Sequence, residues 1–364
     1  MEKKTKKSVI IMIVILALCA VLAAVYSRLN SEKEKENTAS AYEYVYFGSY
    51  PQSEVTDKDT ISKLSALDNL EWKSYGYYSG KGSYGSMEQN DFMKYADVSL
   101  NQEMYRAVTF NNERPDYTHC NKLSSTKTQL NNNYEINKTY WFKFEPIKWR
   151  ILDKNSSLVM SEYVLDSQAY SNTVYSLASE NDFNGDFWND EANTNYANDY
   201  YTSSIRKWLN NDFYNTAFSK NEKGAIDVTH LDNFAYNDDS GKYDGKDCDD
   251  KIFLLSFKDI LNAQYGFNPD PENEDISRRA SGTDYAKCQG LGVESFMGNQ
   301  KELLTAEGKS PAEWWLRSAG SNSYSAVCVP YTGCAVNYSY SGLVSITTYG
   351  IRPALKFVEG HKFS

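Results

Sequence analysis

Histidine is nearly missing from the 364 residues. His119, His230 and His361 are the three present, and none has a neighbour at a spacing that suggests metal ligation or a nucleophile–base pair. Candidate chemistry is therefore thin. No CxxC occurs among the six cysteines, which speaks against structural zinc. With Cys19 in an apolar N-terminal run, Cys120, Cys248, Cys288, Cys328 and Cys334 remain, an odd set that cannot fully pair. A clustered basic face is lacking too: the net charge is −10 and the isoelectric point near 5.0, which argues against a nucleic-acid partner. Prolines number only eight while 15% of the chain is aromatic, far above what disordered segments carry. The sharpest absence is local. Between Ser318 and Gly350 there is no Lys, Arg, Asp, Glu, Gln, His, Met or Trp, in a chain that is 24% charged.

What fills that gap is Ser, Gly, Asn, small apolar residues and Tyr324, Tyr331, Tyr338, Tyr340 and Tyr349. Two rigid pieces flank it, Trp-Trp-Leu-Arg from Trp314 and Gly-Ile-Arg-Pro-Ala-Leu from Gly350. Tyr supplies stiff amphipathic contact area and Ser, Asn and Gly supply adaptable hydrogen bonding, the vocabulary of binding loops. The plainer alternative is a pair of Ser/Tyr-rich surface strands with no ligand.

Upstream of this frame come YFGSYPQ from Tyr46, YADVSLNQEMYRAV from Tyr95, YWFKFEPIKWRIL from Tyr140, SSIRKWLNNDFYNTAF from Ser203, DKIFLLS from Asp250 and TDYAK from Thr283. Together with WWLRS, the glycines 320, 333 and 342, and GIRPAL, these pieces resemble a domain family of unknown function from surface proteins of Gram-positive gut bacteria. The resemblance spans residues 44–357. It implies a C-type-lectin-like, formylglycine-generating-enzyme-like α+β fold. A subset of such domains serve as variable proteins of diversity-generating retroelements, so it also implies a scrambled C-terminal ligand surface. Randomising the adenines of an AAC or AAT codon reaches every residue type found from Ser318 to Gly350. It also reaches Asp, His and Arg, which are absent, so a non-diversified relative would look similar.

In chain order, Lys3, Lys4, Lys6 and Lys7 make residues 1–7 a cytoplasmic basic tail ahead of an apolar run to Tyr26. That run is expected to be a single-pass signal-anchor over 8–26, placing the rest outside the cell. A cleaved signal peptide and a lipidated Cys19 are the competing readings. Residues 27–41 read as a charged linker and 42–358 as the extracellular domain, with 318–350 as its permissive region. Tyr42, Tyr44 and Tyr46 alternate like a strand, as do Ile147, Trp149 and Ile151. A hairpin turns at Asn101-Gln102, helices are expected near 60–68, over 203–217, from Ser219 to about Ile226, and from Ser256 to Gly266, and 111–139 reads as a polar surface loop. Helices between early strands, with a Gly-rich β region at the end, suit a twisted sheet covered by helices.

The expected ligand contacts are Ser321, Asn322, Ser323, Tyr324, Ser325, Cys328, Pro330, Tyr331, Thr332, Cys334, Asn337, Tyr338, Ser339, Tyr340, Ser345, Thr347 and Tyr349. Trp314, Trp315, Arg317, Arg352 and Pro353 form the frame. No catalytic residue is assigned. The expected partner is an extracellular protein or glycan, with the membrane held through residues 8–26. The alternatives are a formylglycine-generating type of copper oxidase using Cys328 and Cys334, and an envelope structural protein with no ligand. In an extracellular setting a disulfide between those two cysteines is the better reading. Calcium is a second candidate, through Asp182, Asn184 and Asp186, the run Asp238, Asp239, Asp244, Asp247, Asp249 and Asp250, or Asp270 to Asp275. Solvated acidic loops are the plainer account.

Overall fold

The computed structural model describes residues 42–75, 92–117, 123–171, 196–236, 241–293, 303–335, 341–361 and 363. Contacts divide the chain into a unit of residues 1–43 and a second of residues 44–364, to which the described residues almost wholly belong. The basic tail, the expected anchor at 8–26 and the linker lie outside the described residues.

Alternation places the long strands. In β7 (Tyr140–Asp153) Ile147 and Trp149 are buried while Lys148 between them is half-exposed, as a strand with one wetted face requires. Its length lets several partners share it. β8 (Leu158–Ser161) and β4 (Glu103–Phe110) pair near its opposite ends, and β1 (Tyr44–Glu54) runs antiparallel along it from Arg150 to Phe142. β3 (Met93–Leu100) joins β4 through a tight turn at Asn101 and Gln102, both at positive φ as a two-residue hairpin turn demands. Adding β2 (Lys73–Ser74) and β16 (Ala354–Lys356) completes a seven-stranded sheet. A five-stranded sheet runs in the order β14 (Ser341–Leu343), β13 (Ser325–Val329), β12 (Trp314–Ala319), β15 (Gly350–Ile351), β9 (Asp166–Ser167). Only its β12–β15 pair is parallel. Two small hairpins stand apart, β5 (Arg114–Tyr117) with β6 (Leu123–Thr126), and β10 (Thr229–Leu231) with β11 (Cys248–Asp250).

The α+β expectation is corrected. The described residues are mostly β, and their longest regular α-helix is the eight-residue Lys58–Ser65. Helices break early for local reasons. The run from Ser204 to Ala217 buries Ile205, Trp208, Leu209 and Phe213, but its middle turn, Leu209–Phe213, is π-helical. The helix expected from Ser256 to Gly266 splits at Asn262, whose extended backbone and side chain cap a second short turn. Ser219 and Glu222 do form a reciprocal capping box, over one turn only. The expected loop at 111–139 instead holds β5, β6 and the Thr128–Asn131 helix.

Localisation is corrected with it. Among the described residues no helix is long and apolar enough to cross a membrane, and the single-pass, transmembrane-preceded architecture finds no support among them.

One core cluster reaches through both large sheets, with Trp149, Phe142, Phe213, Tyr170, Tyr200, Tyr285, Trp314 and Trp315 inside it. Leu64, Ala96, Tyr105, Ala107 and Trp141 form a smaller second cluster.

Candidate functional site

Much of the charge-free stretch, as far as it is described, is interior rather than surface. Every residue of β12 and of β13 is buried. Among the expected contacts, Ser323, Ser325, Cys328, Pro330, Ser345 and Thr347 are buried. The cause is packing density. A Cβ on Gly342 would sit 2.4 Å from the Tyr349 ring and 2.9 Å from that of Trp315, and one on Gly333 would meet the Asp275 carbonyl oxygen at 2.2 Å. Small uncharged residues are what such spaces accept. Ser321 is exposed, and Asn322, Tyr324, Tyr331, Thr332, Cys334 and Tyr349 are half-buried. Asn337, Tyr338, Ser339 and Tyr340 lie outside the described residues. Cys328 and Cys334 both carry thiols and are not joined to each other, which corrects the expected disulfide. Burial pushes the Cys328 thiol up, and the Cys334 thiol donates to the Glu272 carbonyl at 3.4 Å.

The frame residues hold backbone to backbone. Trp314 donates its indole N–H to the Arg278 carbonyl at 3.1 Å and Trp315 to that of Gln168 at 3.0 Å. Arg352 is fully buried over the Trp314 ring at 4.8 Å and donates to the carbonyls of Ser161 and Glu162. Pro353 separates β15 from β16, since it lacks the N–H that a continuous strand would use, while its carbonyl accepts from Ser161 N–H at 2.8 Å.

Arg317 does something different. From the buried β12 it reaches Asp259 Oδ2 at 2.8 Å, the Leu254 carbonyl at 3.0 Å, and both the carbonyl and Oδ1 of Asp232 at 3.2 Å. One guanidinium thereby fixes two loops, 232–236 and 254–259, against the end of the strand. Between them lies a groove of about 290 Å³ that includes Phe234, Tyr236, Phe257, Lys258 and Ser318 in its lining. Tyr236 and Phe257 pack with ring centroids 4.3 Å apart, and Phe234 is 51% exposed beneath the Lys258 ammonium at 4.2 Å. Backbone bonds lock both rings in place: Tyr236 N–H donates to the Ala319 carbonyl at 2.8 Å and Phe257 N–H to Ser318 Oγ at 3.0 Å. The Ser256 hydroxyl donates to Asp259 Oδ2 at 2.8 Å, so it faces a carboxylate already held by arginine rather than a free base.

The exposed tip of the expected contact region follows directly. Asn198 donates through Nδ2 to the carbonyls of Asn322 and Ser325, pinning the 321–325 turn three residues beyond Ser318. Arg317 was legible as a frame residue. Phe234, Tyr236, Phe257 and Lys258 were missed, although the period-two aromatics at 234 and 236, set between acidic runs, offered a signal.

Away from the groove, the core carries a polar network. Arg106, nearly fully buried, pairs with Asp97 through two 2.7 Å bonds and donates to Tyr285 Oη, which lies 2.8 Å from Tyr75 Oη. Tyr50 donates to Asp166 Oδ2 at 2.8 Å, and burial lifts that carboxyl to about 6 against the pull of Tyr50 and of Ser167 N–H. A small, partly open pocket lined by Tyr50, Tyr75, Tyr95 and Arg106 has a volume of about 40 Å³, room for a few waters. Sequence reading gave no hint of this network.

The calcium reading finds its carboxylates committed. Asp244 accepts from Ala235 N–H, Asp249 meets His230 at 2.8 Å, Asp250 pairs with Arg206, and Asp275 accepts from Asn268 and Ser277. The bond to Asp249 holds the His230 imidazole above its usual range. Asp182, Asn184, Asp186, Asp238 and Asp239 lie outside the described residues. Among the described residues no group of three or more His, Cys, Asp or Glu is placed to hold a metal ion.

No curated protein and no solved structure matches the chain. A family model does match, and its span of residues 154–357 contains the whole groove, Arg317 and the frame, while Tyr50 and Arg106 fall before it. The chain belongs to that family, a domain of unknown function (DUF6273).

Proposed function

We propose that this chain is a recognition module that holds its ligand non-covalently in the Arg317 groove. The observation that carries this is the exposed Phe234 ring beside the packed Tyr236–Phe257 pair, held open on loops that a buried arginine fixes. Rigid aromatic area with a few convergent polar groups is the usual make-up of a binding site, and holding it in advance removes the cost of ordering it on binding. The copper-oxidase reading has less support, because Cys328 is in the core and Cys334 is engaged with the Glu272 carbonyl.

The test is a glycan and peptide array probed with the native chain and with the Phe234→Ala/Tyr236→Ala double variant. Any ligand recovered should lose roughly tenfold or more in affinity, the size expected for aromatic anchors, and Phe234→Ala alone, which removes only an exposed ring, should weaken it with the unfolding midpoint close to native. A ligand whose affinity is unchanged puts the site elsewhere.

Diversification by a retroelement is a narrower reading, supported by the residue types from Ser318 to Gly350. The same residue types also suit dense packing. Diversification that leaves the core intact would be confined to accessible positions such as Ser321, Asn322, Tyr324, Tyr331 and Thr332. A reverse-transcriptase gene beside a near-repeat of these codons, differing only at adenines, would support it. A locus with neither removes it.

A further inference from the structure

Resting on that reading of the groove, we infer that its ligand is a neutral carbohydrate, laid ring-face onto Phe234 and Tyr236 and bound without a metal. The argument runs through charge. Arg317 and Ser256 both take Oδ2 of Asp259, whose charge the guanidinium offsets, and Arg317 takes Oδ1 of Asp232. The charged groups in the groove's lining are then the Asp232 carboxylate and the Lys258 ammonium, opposite in sign, the ammonium lying 4.2 Å over the Phe234 ring. A ligand carrying net charge would gain from one and lose to the other. A chain with net charge −10 also repels anions at long range.

A purely apolar ligand is equally mismatched, since it would strip water from Asp232, Lys258 and Ser318 without replacing those hydrogen bonds. The matching chemistry is a rigid ring with C–H groups on its faces and hydroxyls on its edge. The C–H groups lie on the electron-rich aromatic faces, while hydroxyls donate to Asp232 and accept from Lys258. A volume of about 290 Å³ sits at the lower end of ligand pockets, which limits the enclosed part to about one or two sugar rings.

The test is saturation-transfer NMR on the full chain in EDTA, with methyl glycosides of glucose, galactose and N-acetylglucosamine as probes. Acetyl-Gly-Tyr-Gly-amide serves as a neutral peptide control. Transfer to the ring protons of at least one glycoside is expected, with affinity at least tenfold weaker in Phe234→Ala at an unchanged unfolding midpoint. If only the peptide binds, and Phe234→Ala abolishes that binding, the carbohydrate assignment is overturned while the groove stands as the site. If no probe binds, or binding survives Phe234→Ala, the groove reading fails together with the assignment.

Discussion

Asp166 sits where a carboxylate is costly, with no exposed surface and its two oxygens taking one hydroxyl and one backbone N–H. Desolvation outweighs those bonds, so its folded-state pKa, about 6, lies above the unfolded value. The sign follows from linkage. The folded state takes up the proton more readily, so this residue's stabilising contribution is full below about pH 4 and is lost as pH rises through 6. A shift of that size corresponds to on the order of 3 kcal/mol. Denaturant midpoints of the native chain and Asp166→Asn, measured at pH 4.5 and 7, should diverge less at the lower pH than at the higher. Parallel curves would mean that the buried carboxyl does not titrate there. Gly342 makes the packing argument at the same scale. Gly342→Ala pushes a methyl into Tyr349 and Trp315, and should cost about 1–3 kcal/mol by thermal unfolding. A neutral effect would restore the permissive-surface account of this stretch.

At the scale of elements, the Asp284–Gln289 helix shows how a segment read as polar loop does structural work. Thr283 caps its start by accepting from Ala286 N–H, and Gly290 at φ +105° ends it. Its C-terminal carbonyls are then captured from the 111–139 region: Arg114 and Gln129 take those of Gln289 and Cys288, and Asn132 takes Lys287 at 3.0 Å and Leu291 at 2.8 Å. Asn132→Ala should therefore cost about 1–3 kcal/mol and speed amide exchange in residues 284–291 before other elements respond. Exchange unchanged there would mean that water replaces the amide at no cost. Period-two patterns, the Asn101-Gln102 turn and the Ser219 box were legible because each is decided by neighbours in sequence. The role of Asn132 was not, since its partners lie 155 and 159 residues away. Burial of β13 was hidden similarly: Ser and Cys look alike on a surface and in a tight interior, and only the position between β14 and β12 decides which.

For the whole molecule the question is whether two sheets make one folding unit. Their strands alternate along the C-terminal chain, β15 in the five-stranded sheet and β16 in the seven-stranded, with Arg352 and Pro353 between them. Arg352 donates to carbonyls at the end of β8 while stacking on Trp314 of β12, so one buried side chain ties both sheets. The shared core cluster adds apolar contact across the same junction. Amide exchange in rising urea should then give β7 and β12 the same opening free energy, the mark of a single cooperative transition. Arg352→Met keeps most of the volume but leaves the Ser161 and Glu162 carbonyls without their donor, a loss of about 2 kcal/mol or more. It should lower the opening free energy of β12 more than that of β7, separating two curves that coincide in the native chain. If they are already separate in the native chain, the sheets unfold independently and Arg352 is local packing. If they still coincide in the variant, the shared apolar core couples the sheets without it.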